Sequence, residues 1–217
     1  MNNHRENLGI MTVTLIAMTH FLAFNGTPDE LIEHAGRVCR GSQTDERDAE
    51  RTERFVDMLI ESGHESVLEH VSATFEISGL SRACSHQLVR HRLASYSQES
   101  QRHVTVGDVR MVAPPSIAKN GEARDWWDDI MYEIEHAYNV LLNLGIPKED
   151  ARYILPNATP TSVVMTANLR EWRHILKLRL SPDAQWEIRK MARMILDLLY
   201  YNVSRVAFAD LVEAHNE

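Results

Sequence analysis

The longest regular pattern in this chain is a helical one that runs from Asp125 to Leu144. Apolar side chains recur in it at spacings of three and four residues, which places them on one face of an α-helix. The residues of this face are Trp127, Ile130, Met131, Ile134, Tyr138 and Leu141. An apolar helix face has to be buried against another layer of structure. The chain is therefore expected to fold in packed layers, with this helix in one of them.

Other helices are marked by their ends. The TPDE segment at 27–30 forms a capping box with proline at the first helical position, so a helix is predicted from there to about Arg40. A second helix is predicted from Arg47 to Ser62. Two more follow near the C-terminus: one over 169–180, and a last long helix that the SPD segment at 181–183 is expected to cap.

Three segments have the character of strands. The run from Ile10 to Met18 is apolar, and the VSATFEIS segment at 71–78 alternates apolar and polar residues. Gly79 is expected to end that strand, and a helix is predicted to follow from Ser81 to about Arg92. The TSVVMT segment at 161–166 is rich in β-branched residues, which favour strands.

Strands and helices mixed in this way predict an α+β fold, in which a small sheet of antiparallel type is packed with several helices. No repeat, low-complexity tract or linker divides the sequence. Residues 1–217 are therefore predicted to form a single domain.

Composition excludes several classes of partner. The chain has 31 Asp+Glu against 23 Lys+Arg, a formal net charge of −8, which argues against nucleic acid and anionic membranes. We see no secretion signal, and the run from Ile10 to Met18 is too short to span a bilayer. Cys39 and Cys84 lack the spacing of a disulfide framework, and both are predicted to be buried, unreactive thiols. A reducing, cytoplasmic setting is expected.

Several common sites are missing from the sequence. It contains no G-x-G, so the Rossmann fingerprint and the P-loop are absent, and it contains no G-x-S-x-G. Two metal ligands on one helix face need a spacing of three or four, whereas His86 and His91 are five apart. No metal is expected, and no covalent catalyst is evident.

One polar segment suggests a site for an anion. RHRLASYSQESQRH, at 90–103, places three arginines and two histidines around a single Glu99. Arginine matches phosphate oxygens bidentately, and hydroxyls and backbone amides add neutral donors. The alternative is a solvated surface, because basic residues are common at helix C-termini. That alternative does not explain why the polar run continues for ten residues to Arg102, so we favour the anion site.

Two other segments have the same character. Arg152 lies in DARYILPNATPT, and NLREWRHILKLR contains Asn168, Arg170, His174 and Arg179. On a helix, Arg170 and His174 are one turn apart and share a face. Solvated helix charges remain the simpler explanation for each arginine taken alone.

Several of these residues resemble the motifs of a known protein family. Arg-His-Arg at 90–92, followed by seven residues and Ser100, resembles the signature of flavin-dependent thymidylate synthases. Further segments resemble blocks of that family in the same order: GHESVLEH at 63–70, SHQLVRHRLASYSQESQR at 85–102, DARYILPNAT at 150–159, and NLREWRHILKLR with DAQWEIR over 168–189. The resemblance covers most of the chain from about residue 28 to 190.

The resemblance implies an enzyme that converts dUMP to dTMP. Members take the methylene carbon from methylenetetrahydrofolate and reducing equivalents from NADPH through FAD, without a cysteine nucleophile. It also implies the thymidylate synthase-complementing protein fold and a homotetramer with active sites at subunit interfaces. The expected partners are therefore dUMP and folate, with no nucleic acid and no membrane.

The resemblance also implies roles for individual residues. Those expected to contact FAD are Ser66, Arg90, His91, Arg92, Asn168, Arg170 and His174, with His64 on the flavin and folate side. Those expected around dUMP are Gln87, Arg90, Gln98, Ser100, Arg102, Arg152 and Arg179. Among them, Arg102 and Arg152 suit the phosphate. Arg179 is the expected catalytic residue, because it would stabilise negative charge on the uracil N3/O2 edge as C5 becomes nucleophilic.

Three positions depart from the family pattern. His103 stands where many members have tyrosine, Gln98 where others have glutamate, and Ser162 where an arginine is frequent. His103 gives some support to a different class of function, a non-catalytic nucleotide-binding or regulatory protein. A third class, an RNA-binding helical module, is disfavoured by the net charge.

Overall fold

The computed structural model describes residues 10–44, 46–106 and 110–215. Residues 1–9, which bear on the expected absence of a secretion signal, lie outside these ranges. The helices in the described ranges are α1 Pro28–Val38, α2 Ala49–Glu61, α3 Arg82–Leu88, α4 Pro115–Ala118, α5 Gly121–Asn143, α6 Lys148–Ala151, α7 Leu169–Arg179, α8 Trp186–Asn202 and α9 Ala209–Glu213. The strands are β1 Thr12–Met18, β2 Ser72–Ser81, β3 Ser95–Gln98 and β4 Pro160–Asn168. Short 3-10 helices cover Ala23–Asn25, Glu65–His70, Arg152–Ile154 and Val206–Phe208.

The strands form one sheet in the order β1-β2-β4-β3. The backbone N–H of Thr19 donates to the carbonyl of Ser72 at 2.8 Å, so the end of β1 meets the start of β2. The N–H of Leu169 donates to the carbonyl of Val71 at 2.8 Å, so the end of β4 also meets the start of β2. These pairs run antiparallel. The predicted α+β fold with a small antiparallel sheet is confirmed.

The described residues fall into two compact units. The first unit contains those within 1–12, 77–90 and 97–163, and the second contains those within 13–76, 91–96 and 164–217. Strands β2 and β4 each contribute residues to both units. The single domain over 1–217 stays a prediction.

The core of the second unit is built around α7. Trp172 is fully buried, and its ring meets Phe75 of β2 edge-on, with centroids 5.1 Å apart. Its indole N–H donates to the carbonyl of Ala73 at 3.1 Å, which satisfies the one polar atom of the ring. The second unit also packs α1 on α2 and α7 on α8. These contacts hold α7, which carries several predicted site residues, firmly against the strand.

The first unit contains the long helix that dominates the sequence pattern. Tyr138 of α5 is fully buried and packs with Val106 and Ala151. Its phenolic oxygen accepts a hydrogen bond from the backbone N–H of Val106 at 3.4 Å. The predicted apolar face is buried less completely than its pattern implies, because Ile130 is 50% exposed.

The prediction that Gly79 ends its strand was wrong. Strand β2 continues through Gly79 to Ser81, and this glycine adopts a positive φ of 75° inside it. A Cβ there would lie 2.6 Å from the carbonyl oxygen of Ile10. Glycine is therefore required at position 79 because another backbone segment approaches it closely. Such an approach is a common reason for glycine inside a strand.

The helix after β2 is shorter than predicted. It begins at Arg82, with Ser81 as its N-cap, and ends at Leu88 rather than near Arg92. The strand β3 that follows it was not predicted. Arg90 and Arg92 therefore lie in the connection between α3 and β3. The attraction of basic residues to a helix C-terminus does not explain the presence of both arginines there.

The expected cap of the last helix was also wrong. Helix α8 begins at Trp186, and Gln185 caps it by accepting hydrogen bonds from the N–H groups of Glu187 and Ile188 at 3.0 and 3.1 Å. Ser181 instead closes a local turn, in which its hydroxyl accepts from the N–H of Asp183 at 3.4 Å.

The two cysteines differ in their surroundings. Cys84 in α3 is buried, as predicted, whereas Cys39 is exposed and the prediction for it was wrong. Cys39 is the C-cap of α1 and follows Val38, which is itself half exposed, so the apolar side of that helix ends before it. Over the described ranges, no helix is long and apolar enough to cross a membrane.

Candidate functional site

The first unit contains most of the residues expected to contact dUMP. Gln87 lies in the last turn of α3 and is half-buried, and Arg90 follows that helix and is exposed. The N-terminus of α3 is capped by Ser81, whose hydroxyl accepts from the N–H of Cys84 at 3.0 Å. A short, capped helix thus presents both side chains at its C-terminal end.

Gln98, at the end of β3, is held by two hydroxyl groups. Its Nε2 donates to the Oγ of Ser85 at 3.0 Å and to the Oγ1 of Thr161 at 3.4 Å. Both of those residues are buried, so the amide is fixed from the interior of the first unit. The departure to glutamine is therefore accommodated by neutral hydrogen bonds, in which the amide is the donor.

Ser100 begins a tight turn that exposes the next arginine. The carbonyl of Ser100 accepts from the N–H groups of His103 and Val104 at 3.1 and 2.9 Å, and its hydroxyl accepts from the N–H of Arg102 at 3.3 Å. His103 is exposed, and its carbonyl accepts from the Nζ of Lys148 at 2.9 Å. At the third departure, the carbonyl of Ser162 accepts from the N–H of Glu99 at 2.9 Å.

Three guanidinium groups gather in the first unit. Arg102 forms an exposed ion pair with Glu149 at 3.1 Å, and the Nε of Arg152 donates to the carbonyl of the same Glu149 at 3.0 Å. Arg82 lies close enough to Arg152 for the two charges to oppose each other. Burial, and then the charge of Arg152, lower the pKa of Arg82, while Glu99 partly offsets them.

Sequence reasoning missed Arg82 and Glu149. Arg82 is the first residue of α3 and lies eight positions before Arg90, outside the motif. No spacing rule connects it to Arg152, which is 70 positions away in the chain. Its position at the start of a predicted helix after a strand was the one signal that could have drawn attention to it.

The second unit contains most of the residues expected to contact FAD. His64 and Ser66 are exposed at the start of the 3-10 helix Glu65–His70. Arg170 is exposed on α7 and forms an ion pair with Glu69 of the same 3-10 helix. Asn168 is the N-cap of α7, and its side-chain oxygen accepts from the N–H of Glu171 at 2.9 Å. These elements hold hydroxyl, imidazole and guanidinium groups at the surface of the second unit.

Arg179 contacts another residue of the predicted set directly. Its Nε donates to the Nε2 of His91 at 3.0 Å, and His91 is only 6% exposed. The ring of His91 also meets the ring of His174 edge-on, with centroids 6.2 Å apart. On the other side, the Nδ1 of His91 lies 4.0 Å from a carboxylate oxygen of Glu171, which is buried.

The electrostatics around His91 favour its neutral form. Burial lowers its pKa to about 4, and the charges of Arg179 and His174 act in the same direction. Tyr96 of β3 closes the cluster, because its hydroxyl donates to the carbonyl of His91 at 3.0 Å. Burial, and then the charge of Glu171, raise the pKa of Tyr96 to about 12. Sequence reasoning missed both Glu171 and Tyr96.

The predicted residues therefore form two groups. Within the second unit, the structure brings together His91, His174 and Arg179; within the first, it brings Arg102 and Arg152 to the same glutamate. Arg92 is exposed, and across the described ranges it has no ion pair with an acidic side chain. In the same part of the chain, no group of three His, Cys, Asp or Glu is placed to hold a metal ion.

A pocket in the second unit is a weaker candidate. It lies beside α1 and α2 and contains none of the predicted site residues. Two ion pairs occupy much of its lining, Arg37 with Glu33 and Arg47 with Glu30, each at 2.6 Å. Both of these arginines are paired with carboxylates, and Glu46 adds a third carboxylate to the lining, so the pocket is poorly suited to a phosphate.

Comparison with known proteins shows the family of this chain. The family model described as "Thymidylate synthase complementing protein" matches residues 18–203. A flavin-dependent thymidylate synthase of Geobacter sulfurreducens is 44% identical over 179 residues, which cover 79% of this chain and 77% of that protein. One from Mycobacterium marinum is 37% identical, covering 92% of this chain and 89% of that protein.

A solved structure has the same fold. It is that of a UMP/dUMP methylase, PolB from Streptomyces cacaoi, bound with 5-Br dUMP. Its TM-score is 0.80, and the match covers 94% of this chain and 95% of that chain at 24% identity. The family model and the two relatives show that the chain belongs to the thymidylate synthase complementing protein family.

Proposed function

We propose that this chain is a flavin-dependent thymidylate synthase, which methylates dUMP to dTMP. Methylenetetrahydrofolate supplies the carbon, and NADPH supplies the reducing equivalents through FAD. The observation that carries the proposal is the 37% identity to a flavin-dependent thymidylate synthase over 92% of the chain. The matched part of the chain includes the residues of both groups described above.

The first unit is suited to the nucleotide phosphate. Arg102 and Arg152 share Glu149 as a partner, and we add Arg82 to them because the charge of Arg152 acts on its guanidinium and lowers its pKa. Two adjacent cations repel each other, and a bound dianion relieves that repulsion. The exposed Arg102–Glu149 pair is a weak contact that a phosphate can replace. The turn that begins at Ser100 supplies a hydroxyl beside them.

The other substrate contacts are polar and mostly neutral. We assign Gln87, Arg90 and Gln98 to the nucleotide, in agreement with their placement at the ends of α3 and β3. Gln98 is held by hydroxyl groups of the protein, so its side chain is already oriented before any ligand binds.

The second unit offers donors that fit FAD. A dinucleotide carries a diphosphate, which cations and hydroxyl groups bind well. Arg92 and Ser66 are exposed, and Arg170 and His174 lie on the exposed side of α7. We assign these four to FAD, with Arg90, His91, Asn168 and His64. When bound, FAD supplies the hydride chemistry that the side chains of this protein lack.

Arg179 is the residue we assign to catalysis. A guanidinium keeps its charge, so it can stabilise negative charge that develops on the uracil N3/O2 edge during methylation. Its Nε donates to the Nε2 of His91, and this hydrogen bond helps to fix the orientation of the guanidinium.

We also propose a homotetramer with active sites at subunit interfaces. Large apolar side chains are exposed on α5 and just after α6, and exposed apolar groups of this size favour burial in an interface. They include Trp126 at 65%, Tyr132 at 69% and Tyr153 at 82%. A cytoplasmic setting stays our prediction, because the spacing of Cys39 and Cys84 is not that of a disulfide framework.

The proposed reaction is tested by product analysis. The purified chain is incubated with dUMP, FAD, NADPH and methylenetetrahydrofolate, and the nucleotides are separated by liquid chromatography. We expect dTMP to form, and we expect Arg179→Ala to abolish its formation while the assembly size measured by light scattering stays the same. Arg124→Gln is the control, since Arg124 forms an exposed ion pair with Asp128 on α5.

The alternatives give different results in the same assay. A non-catalytic nucleotide-binding protein would bind dUMP and form no dTMP. An RNA-binding module would bind neither dUMP nor flavin, and its RNA binding would weaken steeply with salt. Near-normal turnover by Arg179→Ala would contradict the role assigned to that arginine.

A further inference from the structure

His91 is buried and makes two contacts that face opposite sides of its ring. Its Nε2 lies 3.0 Å from the Nε of Arg179, and its Nδ1 lies 4.0 Å from the carboxylate of Glu171. Both partners belong to α7, and its own carbonyl is held by the hydroxyl of Tyr96. All four residues belong to the second unit.

The chemistry of the contact determines where the proton of His91 lies. An arginine Nε always carries hydrogen and can only donate, so the Nε2 of His91 must present a lone pair. A neutral imidazole with a bare Nε2 carries its proton on Nδ1. That N–H is on the side of the ring where Glu171 lies.

We propose that His91 and Glu171 are positioning residues, which orient the guanidinium of Arg179 through the ring of His91. The catalytic role of Arg179 in this proposal rests on the proposed function. The contacts among Glu171, His91 and Arg179 do not depend on that function. Glu171 selects the Nδ1–H tautomer, that tautomer offers Nε2 as acceptor, and the acceptor fixes the Nε of Arg179. His91 therefore acts through Arg179, and Glu171 acts through His91.

Burial explains why this arrangement survives at physiological pH. Protonation of His91 would remove the acceptor and place a positive charge against Arg179. The charged and titratable groups that face His91 are Arg179, His174 and Glu171 of α7 and Tyr96 of β3. Two of them, Arg179 and His174, disfavour a charged His91, and burial does the same.

The tautomer is tested directly by nuclear magnetic resonance. The unchanged chain is labelled with 15N-histidine, and His91 is assigned by comparison with His91→Gln. We expect a neutral ring with hydrogen on Nδ1 and none on Nε2, and no protonation between pH 5.5 and pH 8. A protonated Nε2, or titration with a pKa near 6.5, would overturn the proposal. This measurement needs neither substrate nor turnover.

Conservative and non-conservative variants separate positioning from simple packing. His91→Gln keeps an oxygen acceptor near the place of Nε2, whereas His91→Ala removes it. If one buried hydrogen bond orients Arg179, we expect kcat to fall about tenfold in His91→Ala and by clearly less in His91→Gln, with KM for dUMP little changed. Glu171→Leu should behave like His91→Ala, and Glu171→Gln, which keeps an acceptor, should lose less activity.

The outcomes distinguish the further inference from the proposed function. Equal losses in His91→Ala and His91→Gln, at equal thermal stability, would contradict positioning. Loss of flavin absorbance in both variants would show that lost FAD binding, rather than a misplaced Arg179, accounts for the lower activity, and would also overturn the inference. An unchanged chain that forms no dTMP but shows the expected tautomer would contradict the proposed function alone.

Discussion

Three arginines of α7 have different surroundings and therefore different roles. Arg173 is buried, and its guanidinium pairs with both carboxylate oxygens of Asp210 at 2.7 Å and with Glu65 at 3.3 Å. A buried ion pair of this kind is costly to break from one side, so Arg173 has a structural role. Arg170 is exposed, and Arg179 is oriented by His91. Arg173 is therefore not a candidate for ligand binding, whereas Arg170 and Arg179 are.

At the scale of single residues, Arg82 offers a test of the phosphate assignment. We predict that Arg82→Gln raises KM for dUMP about tenfold and leaves kcat nearly unchanged, since one charge-assisted hydrogen bond to the phosphate is lost. Steady-state kinetics at fixed ionic strength measure both constants. Arg124→Gln, at a half-buried arginine of the same unit, is the matched control. An unchanged KM in Arg82→Gln would remove Arg82 from the substrate site.

A second prediction at this scale concerns stability and pH. Burial raises the pKa of Asp29 in the first turn of α1 from 3.8 to about 6, although the hydroxyl of Ser204 partly stabilises its charge. The folded chain therefore holds this proton more tightly than the unfolded chain. The resulting stabilisation is fully present below pH 3.8 and is lost as the pH rises through about 6.

The variant that reports on this effect is Asp29→Asn, which cannot titrate. Between pH 4.5 and pH 7.5, we predict that its stability relative to the unchanged chain improves by about 2 kcal/mol, within the ~3 kcal/mol that a shift of this size allows. Urea unfolding at a series of pH values measures the difference, and Asp57→Asn on the exposed side of α2 is the control. A difference that does not vary with pH would be contrary to this account.

The residue types of the site could be predicted from sequence, but their partners could not. The motif and the arginine-rich segments pointed to Arg102, Arg152 and Arg179, because guanidinium groups are the chemistry that phosphate needs. Arg82 and Glu171 escaped notice, since their importance comes from contacts that form only in the folded chain. Which protein groups surround the bound ligands stays a prediction.

At the scale of elements, Gly79 in β2 is the position where backbone geometry matters most. We predict that Gly79→Ala destabilises the chain by at least about 2 kcal/mol, because it forces a side chain into a positive-φ conformation and against the carbonyl of Ile10. Urea unfolding gives the change in the free energy of unfolding.

Gly121→Ala is the matched control for that measurement. Gly121 is the first residue of α5, and a Cβ there meets nothing within 4 Å. In a helix, alanine is favoured over glycine by roughly 0.5–1 kcal/mol, so this variant should be neutral or slightly stabilised. Similar stabilities of the two variants would show that the constraint on Gly79 does not exist.

Helices with strong caps and clear periodicity were predictable, whereas irregular elements were not. The capping box of Thr27 and Glu30 forms as predicted, with hydrogen bonds of 2.7 and 3.2 Å, and α7 has nearly the predicted bounds. The prediction ended strand β2 too early, at Gly79, because glycine in a strand pattern indicated a break rather than a site of close backbone approach. The four-residue β3 has too few residues to show a period.

At the scale of the whole molecule, the proposed mechanism works without a thiol. Cys84 is buried and Cys39 is exposed at the end of α1. We predict that the double variant Cys39→Ala/Cys84→Ala forms dTMP at a rate close to that of the unchanged chain. Complete loss of activity in a folded double variant would mean that a cysteine takes part in the chemistry.

The central claim is that this molecule binds a flavin and uses it on dUMP. The most direct measurement is the visible absorption spectrum of the purified chain, recorded before and after addition of FAD, with free FAD removed by gel filtration and dUMP then titrated in. We predict a yellow protein with the absorption band of oxidised flavin, which dUMP perturbs saturably. A folded preparation that neither carries nor retains FAD would contradict the account.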